Sequence, residues 1–245
     1  MNTDYIAPET EPPLLTLDGV DAAYGPYRAL FDVSFNVAPR SATAVVGPNG
    51  AGKTTIARVC TGLVRPTAGT VTFEGADISR VPAHRVARLG ITHAPEGRSV
   101  FATLTVEENL SLPLHRALGR ENLDAAMTRA YELFPILGER RRQAAGTLSG
   151  GEQRMLVLAR VLVDPPKLLI ADELGLGLAP KIVDEVFAWL DYIRAQGTAM
   201  IIIEEEVHRS LEFADDIVVM HKGRVDWAGP KSESGEVISR ILPGV

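Results

Sequence analysis

Thr43-Ala44-Val45-Val46-Gly47-Pro48-Asn49-Gly50-Ala51-Gly52-Lys53-Thr54-Thr55 is a short apolar run that breaks into a glycine-rich turn. It resumes as Thr55-Ile56-Ala57-Arg58-Val59-Cys60 with the spacing of an amphipathic helix. The turn fits G-x-x-x-x-G-K-[ST], the P-loop. Gly47, Gly50 and Gly52 admit backbone conformations closed to residues with a Cβ, so that the loop from Pro48 to Thr55 can wrap a phosphate chain and turn successive N–H groups, from Asn49 onward, toward it. Lys53 is predicted to reach the outer phosphates and Thr54 to offer its hydroxyl to Mg²⁺. The helix opening at about Lys53 aims its positive dipole end at the same anion.

Composition bounds what this loop can serve. A chain of 245 residues, 46% hydrophobic, suffices for one large domain or a domain with an inserted lobe. The 31 acidic against 25 basic residues give a net charge of −6, which argues against a nucleic-acid partner. Cys60 is the only cysteine, so there is no disulfide framework and no cysteine zinc site, as expected of a reducing cytoplasmic compartment. The most apolar short run, Ala199 to Ile203, falls far below the roughly 20 residues that span a bilayer. The N-terminus lacks the basic-then-apolar layout of a secretory signal. A role at a membrane therefore calls for another chain to hold this one there.

Residues 1–13, rich in Pro and Glu, read as a mobile tail. Leu14 to Asp21 and Leu30 to Val37 read as strands of an antiparallel layer, with Phe31, Val33, Phe35 and Val37 on one face. Tyr24 falls in the turn-prone Tyr24-Gly25-Pro26-Tyr27 between them. Gly69 to Phe73 and Ile91 to Ala94 read as strands, separated by a helical segment from about Ala83 to Leu89. From there to about Asp164 the period is helical, over Val106 to Leu114, Leu123 to Phe134 and Gly151 to Val163. The fold class is α/β, a P-loop core with a mainly parallel sheet and an antiparallel β layer, into which an all-helical lobe is inserted. Residues 14–96 and 165–245 form the core and 97–164 the lobe. Lys167-Leu168-Leu169-Ile170-Ala171-Asp172-Glu173 suits a central parallel strand buried on both faces. A helix from Lys181 to Ala195, a strand through Ile203, a helix near Val207 to Ala214 and a hairpin over Ile217 to Ala228 complete the chain.

Two further stretches carry chemistry. At the carboxyl end of a central strand, where open α/β sheets bind ligands, Asp172 suits the Mg²⁺ that bridges phosphates and Glu173 the orientation of an attacking water. Leu148-Ser149-Gly150-Gly151-Glu152-Gln153-Arg154 opens a helix whose N-terminus makes a second anion cradle.

The order of P-loop, Ser149-Gly150-Gly151-Glu152-Gln153 and strand-ending Asp172-Glu173 resembles that of the ATP-binding cassette ATPases from Leu14 onward. Pro95-Glu96-Gly97-Arg98, Leu104-Thr105-Val106-Glu107-Glu108-Asn109-Leu110 and Leu176-Gly177-Leu178-Ala179-Pro180 are similar to the LivF-type ATP-binding subunit of branched-chain amino acid importers. The resemblance implies ATP and Mg²⁺ as cofactors, adenine stacking on Tyr24 and Glu96 near the metal. It also implies head-to-tail pairing with a second cassette, whose ATP would meet Ser149, Gly150, Gly151 and Glu152. A separate integral membrane permease would be driven from the inner face of the cell membrane, and a solute-binding protein would act indirectly. Leu174-Gly175 stands where the family usually has Pro-Ser, and Glu205, between Glu204 and Glu206, stands at the switch position. Slow hydrolysis is expected of both. The resemblance thus leaves two roles open: the ATPase of an amino-acid importer, or a weakly hydrolytic cassette that dimerises with a competent partner.

Overall fold

The computed structural model describes residues 11–95, 100–204 and 207–234. Most of the expected tail therefore lies outside the described residues. β1 (Leu15–Tyr24) and β2 (Tyr27–Val37) pair antiparallel. β1 runs three residues past the predicted Asp21, so Tyr24 ends a strand rather than sitting in the turn, opposite Tyr27. Phe31 does not share a face with Val33, Phe35 and Val37: Asp32 adopts φ 54° at a register shift, and the inward position before the bulge falls to Leu30. Phe31 instead lies under the guanidinium groups of Arg28 and Arg224, at 4.5 and 5.3 Å from its ring centre.

β3 (Ala42–Val46) leads through the glycine turn into α1 (Lys53–Cys60). β4 (Pro66–Phe73), longer than predicted, returns antiparallel to β1 and carries the two-residue β5 (Ala76–Asp77) at the edge of a sheet ordered β2-β1-β4-β5. The predicted helix up to Leu89 is α2 (Ala83–Val86), which tightens into a 3₁₀ turn over Ala87–Leu89. β6 (Ile91–Ala94) follows. Between Val106 and Val163 lie α3 (Val106–Leu118), α4 (Arg120–Leu133), α5 (Pro135–Glu139) and α6 (Gly150–Val163), with one isolated antiparallel bridge from Ala144 back to Thr105. β7 (Leu168–Asp172), α7 (Pro180–Ala195), β8 (Ala199–Ile203), α8 (Val207–Phe213), β9 (Asp216–His221) and β10 (Arg224–Pro230) complete the fold.

The second sheet runs β10-β9-β3-β8-β7-β6, parallel throughout except for the β9–β10 hairpin. Its central strands are buried on both faces. Leu169, Ala171, Met200 and Ile202 face the helical block, whereas Leu168, Ile170, Ala199, Ile201 and Ile203 face α1 and the antiparallel sheet. Each fully buried large aliphatic side chain stabilises the fold by about 1.5 to 3 kcal/mol, and this double burial fixes register, since a one-residue slip would exchange the two faces. The carboxyl ends of β3, β7 and β8 consequently lie side by side, with Val45 opposite Ile203 and Ile203 opposite Asp172.

Candidate functional site

The site forms at those three strand ends. Gly47 must be glycine, because a Cβ there would lie 2.3 Å from the Met220 carbonyl oxygen. Gly52, at φ 105°, is the N-cap of α1, and a Cβ would meet Leu30 Cδ2 at 2.8 Å. The loop is thus wedged between β9 and β2, with Pro48, Asn49 and Gly50 exposed at its crest and Ala51 buried beneath. The side chain of Lys53 is buried, and its Nζ donates to the carbonyl of Gly47 at 2.8 Å and of Pro48 at 3.4 Å. Thr55 is buried and Thr54 half-buried.

Thr54, on α1, donates its hydroxyl to Asp172 Oδ1 on β7 across 3.4 Å, joining residues 118 apart in the chain. Asp172 is fully buried, and its Oδ2 has no hydrogen-bond partner among the described residues. His93 Nε2, from β6, stands 3.5 Å from that oxygen and is likewise without a hydrogen bond among them. A buried carboxylate oxygen beside a hydroxyl is a hard oxygen donor set of the kind Mg²⁺ takes. Glu96, predicted near the metal, lies outside the described residues.

Glu173 follows directly and its backbone is left-handed, at φ 52°, a region non-glycine residues seldom occupy and that surrounding contacts must enforce. Its N–H donates to the Ile203 carbonyl at 2.7 Å. Its carbonyl accepts from Arg154 Nη2 of α6 at 3.1 Å and from the Leu176 N–H at 3.3 Å. Leu174 is fully buried, and Glu204 Oε1 accepts from the Gly175 N–H at 3.3 Å. Burial pushes the Glu204 carboxyl up to about 7, against the opposing pull of the Gly175 and Leu174 amides; the charge of Glu173 raises it further and that of Arg154 lowers it. Glu205 lies outside the described residues.

Ser149, the N-cap of α6, forms a capping box: its hydroxyl accepts from the Glu152 N–H at 3.3 Å, and Glu152 Oε2 accepts from the Ser149 N–H at 2.8 Å. Glu152 also pairs with Arg140 at 3.2 Å, so its carboxylate serves both the helix start and that guanidinium. Ser149 and Gly150 are exposed. At the other end of the site Tyr24 is 39% exposed, and its hydroxyl accepts from Arg58 Nη1 at 3.2 Å, which fixes one edge of the ring. Sequence reasoning gave no role to Arg58, His93, Arg154 or Glu204. Glu204 alone left a signal, a carboxylate continuing an otherwise apolar strand.

A glycine turn wedged under a strand end, a threonine and aspartate brought together across the sheet and a strained glutamate beside them define a P-loop nucleotide hydrolase. The family description "ABC transporter" matches residues 30–174, and the chain belongs to that family as an ATP-binding subunit that hydrolyses ATP. It is 38% identical over 212 residues to the high-affinity branched-chain amino acid transport ATP-binding protein BraG of Pseudomonas aeruginosa, covering 86% of this chain and 91% of that one. It is 36% identical over 215 residues to the probable branched-chain amino acid transport ATP-binding protein LivF of Archaeoglobus fulgidus, covering 87% and 91%. A nucleotide-free ATP-binding cassette from an ABC transporter superposes with a TM-score of 0.80 at 25% identity, over 94% of this chain and 98% of that one. Among the described residues no helix is long and apolar enough to cross a membrane.

Proposed function

We propose that this chain is the ATP-binding subunit of an importer for branched-chain or related amino acids. It rests on the inner face of the cell membrane against a separate permease and pairs head to tail with a second cassette. The observation that carries the reading is the meeting of Thr54 and Asp172 beneath the P-loop with Glu173 next in line. Similarity to BraG and LivF supports the amino-acid solute.

In this reading Lys53 and the N–H groups of Gly47 and of Asn49 to Thr55 neutralise phosphate charge, Tyr24 stacks on the adenine and Glu173 orients the attacking water. Thr54 and Asp172 would hold Mg²⁺, which would supply positive charge to offset that on the phosphates. Ser149, Gly150 and Gly151 serve the ATP of the partner cassette, with Glu152 setting the shape of the helix start. The lobe of residues 97–164 carries that signature.

Uptake of labelled leucine by vesicles containing this chain, its permease and its solute-binding protein tests the solute. ATPase activity that responds to the permease but not to any branched-chain amino acid would replace the solute and keep the cassette. Lys53→Ala tests the P-loop assignment, because it removes a charge-assisted contact of about 1.5 to 3 kcal/mol from a polyanion. ATP affinity is expected to fall at least tenfold in a binding titration, and unchanged affinity would refute the assignment.

A further inference from the structure

The backbone around Glu173 is gripped from two elements, by a cationic donor and by a carboxyl acceptor. Arg154, buried on α6, donates from Nη2 to the Glu173 carbonyl at 3.1 Å and from Nη1 to the Pro95 carbonyl at 3.4 Å. Glu204, buried just beyond β8, accepts from the Gly175 N–H at 3.3 Å and faces the Leu174 N–H. Between these grips lies the left-handed residue, with its own N–H bonded to Ile203. A positive φ at a residue with a Cβ persists only where neighbours over-determine it, and such outliers gather where geometry serves function.

We propose that Arg154 and Glu204 are positioning residues for ATP hydrolysis: a cationic donor on the carbonyl of Glu173 and a carboxylate acceptor on the amides just after it hold the catalytic carboxylate in its left-handed setting. This rests on the reading of Glu173 as the group that orients water.

The chemistry of the two partners suits the task. A guanidinium presents several donors in a fixed plane, so one side chain spans two carbonyls from different segments. A carboxyl group accepts from backbone amides whether or not it carries a proton, so the grip does not depend on the ionisation of Glu204. The packing closes the arrangement: a Cβ on Gly175 would stand 3.3 Å from Val183 Cγ1 and 3.6 Å from Glu204 Oε2, so the glycine lets the loop lie flat between α7 and Glu204. Leu174 and Gly175 are thereby explained together, one as a buried anchor and the other as the flat contact. Because Arg154 belongs to the helix that Ser149 opens, a shift of that helix would be felt first at the carbonyl of Glu173.

The test measures kcat and, separately, ATP affinity without turnover, in the full chain under conditions that support hydrolysis. Arg154→Met and Glu204→Leu are each expected to lower kcat about tenfold while ATP affinity stays within twofold. Glu204→Gln, which keeps the acceptor, should recover at least threefold over Glu204→Leu. The double variant Arg154→Met/Glu204→Leu should lose little more than the weaker single, since both act on one peptide segment. Wild-type kcat in both singles, a loss confined to ATP affinity, or losses that multiply in the double overturns the proposal. Arg154→Lys, which reaches one carbonyl only, decides if Arg154→Met fails to fold: about threefold lower kcat at unchanged affinity supports the grip, and wild-type kcat refutes it. Glu173→Gln run in parallel separates the two readings. Turnover that survives it removes Glu173 as the water-orienting group, whereas its loss beside unaffected Arg154 and Glu204 variants removes the grip alone.

Discussion

Glu204 continues an apolar strand into the protein interior, where an ionised carboxylate is poorly solvated, and its affinity for a proton rises from 4.5 to about 7. The consequence for stability has a definite sign. Below pH 4.5 the group is protonated folded and unfolded, and it contributes no difference. Between pH 4.5 and 7 the unfolded chain releases the proton while the folded one keeps it, so stability falls as pH rises. Above pH 7 the full penalty, about 3 kcal/mol, is present. Glu204→Gln should therefore match the wild type near pH 4.5 and exceed it by up to that amount at pH 8 in denaturant melts. A difference that does not change with pH would mean that Glu204 ionises in the fold as freely as in water. On the proposed reading the neighbouring Glu205 stands at the switch position. An ionised carboxylate there cannot donate to a phosphate, so Glu205→Gln should raise the ATPase rate at pH 7.5. Equal rates at pH 7.5 would take Glu205 out of the mechanism. Lys53, Thr54, Asp172 and Glu173 were legible in the sequence because their motif spacing carries their chemistry. The contacts of Arg154 and Glu204 were not, because their partners are main-chain atoms 19 and 29 residues away; the carboxylate that ends the apolar run marks Glu204 as unusual but does not name what it holds.

At the scale of elements, α3 shows how local rules set boundaries. Thr105 accepts from the Glu108 N–H at 3.1 Å while Glu108 Oε2 accepts from the Thr105 N–H at 2.8 Å, so the helix starts at Val106 as predicted. Its end was misjudged. Pro113 does not stop the helix at Leu114, since α3 continues to Leu118 with Leu114 buried against α4 and α6, and tertiary packing outweighs the lost backbone bond. Asn109, buried, satisfies the carbonyls of Phe101, Leu104 and Thr105 and accepts from the Phe101 N–H at 2.8 Å. It thus ties α3 to the chain entering it. Thr105→Ala removes one half of the capping box and should cost about 1 kcal/mol, a fall in melting temperature of about 2 to 4 °C for a chain of this size. ATP affinity should be unchanged, because no residue assigned to nucleotide touches the box. An unchanged melting temperature would show that packing alone sets the start of α3.

For the molecule as a whole, the double burial of the central strands was readable as continuous apolar runs, but the order β10-β9-β3-β8-β7-β6 was not, since runs of similar composition do not name their neighbours. That order brings Thr54 to Asp172, whereas Ser149 and Gly150 stand exposed at the start of α6, as the proposed contact with a partner's ATP requires. A head-to-tail pair of chains would complete two sites at once, and nucleotide would be part of the interface. Glu173→Gln keeps shape and hydrogen bonding while removing the carboxylate that orients water, so bound ATP should persist and hold the pair closed. Sedimentation with ATP and Mg²⁺ at about 0.15 M salt, where charge repulsion between two acidic chains is screened beyond about 8 Å, should show this variant as a dimer, alone or with a second cassette of the same transporter. Adding Lys53→Ala to it should return the monomer, which separates nucleotide-driven closure from nonspecific association. Assembly that ignores ATP, or none under either pairing, would leave Ser149 as a helix cap and no more.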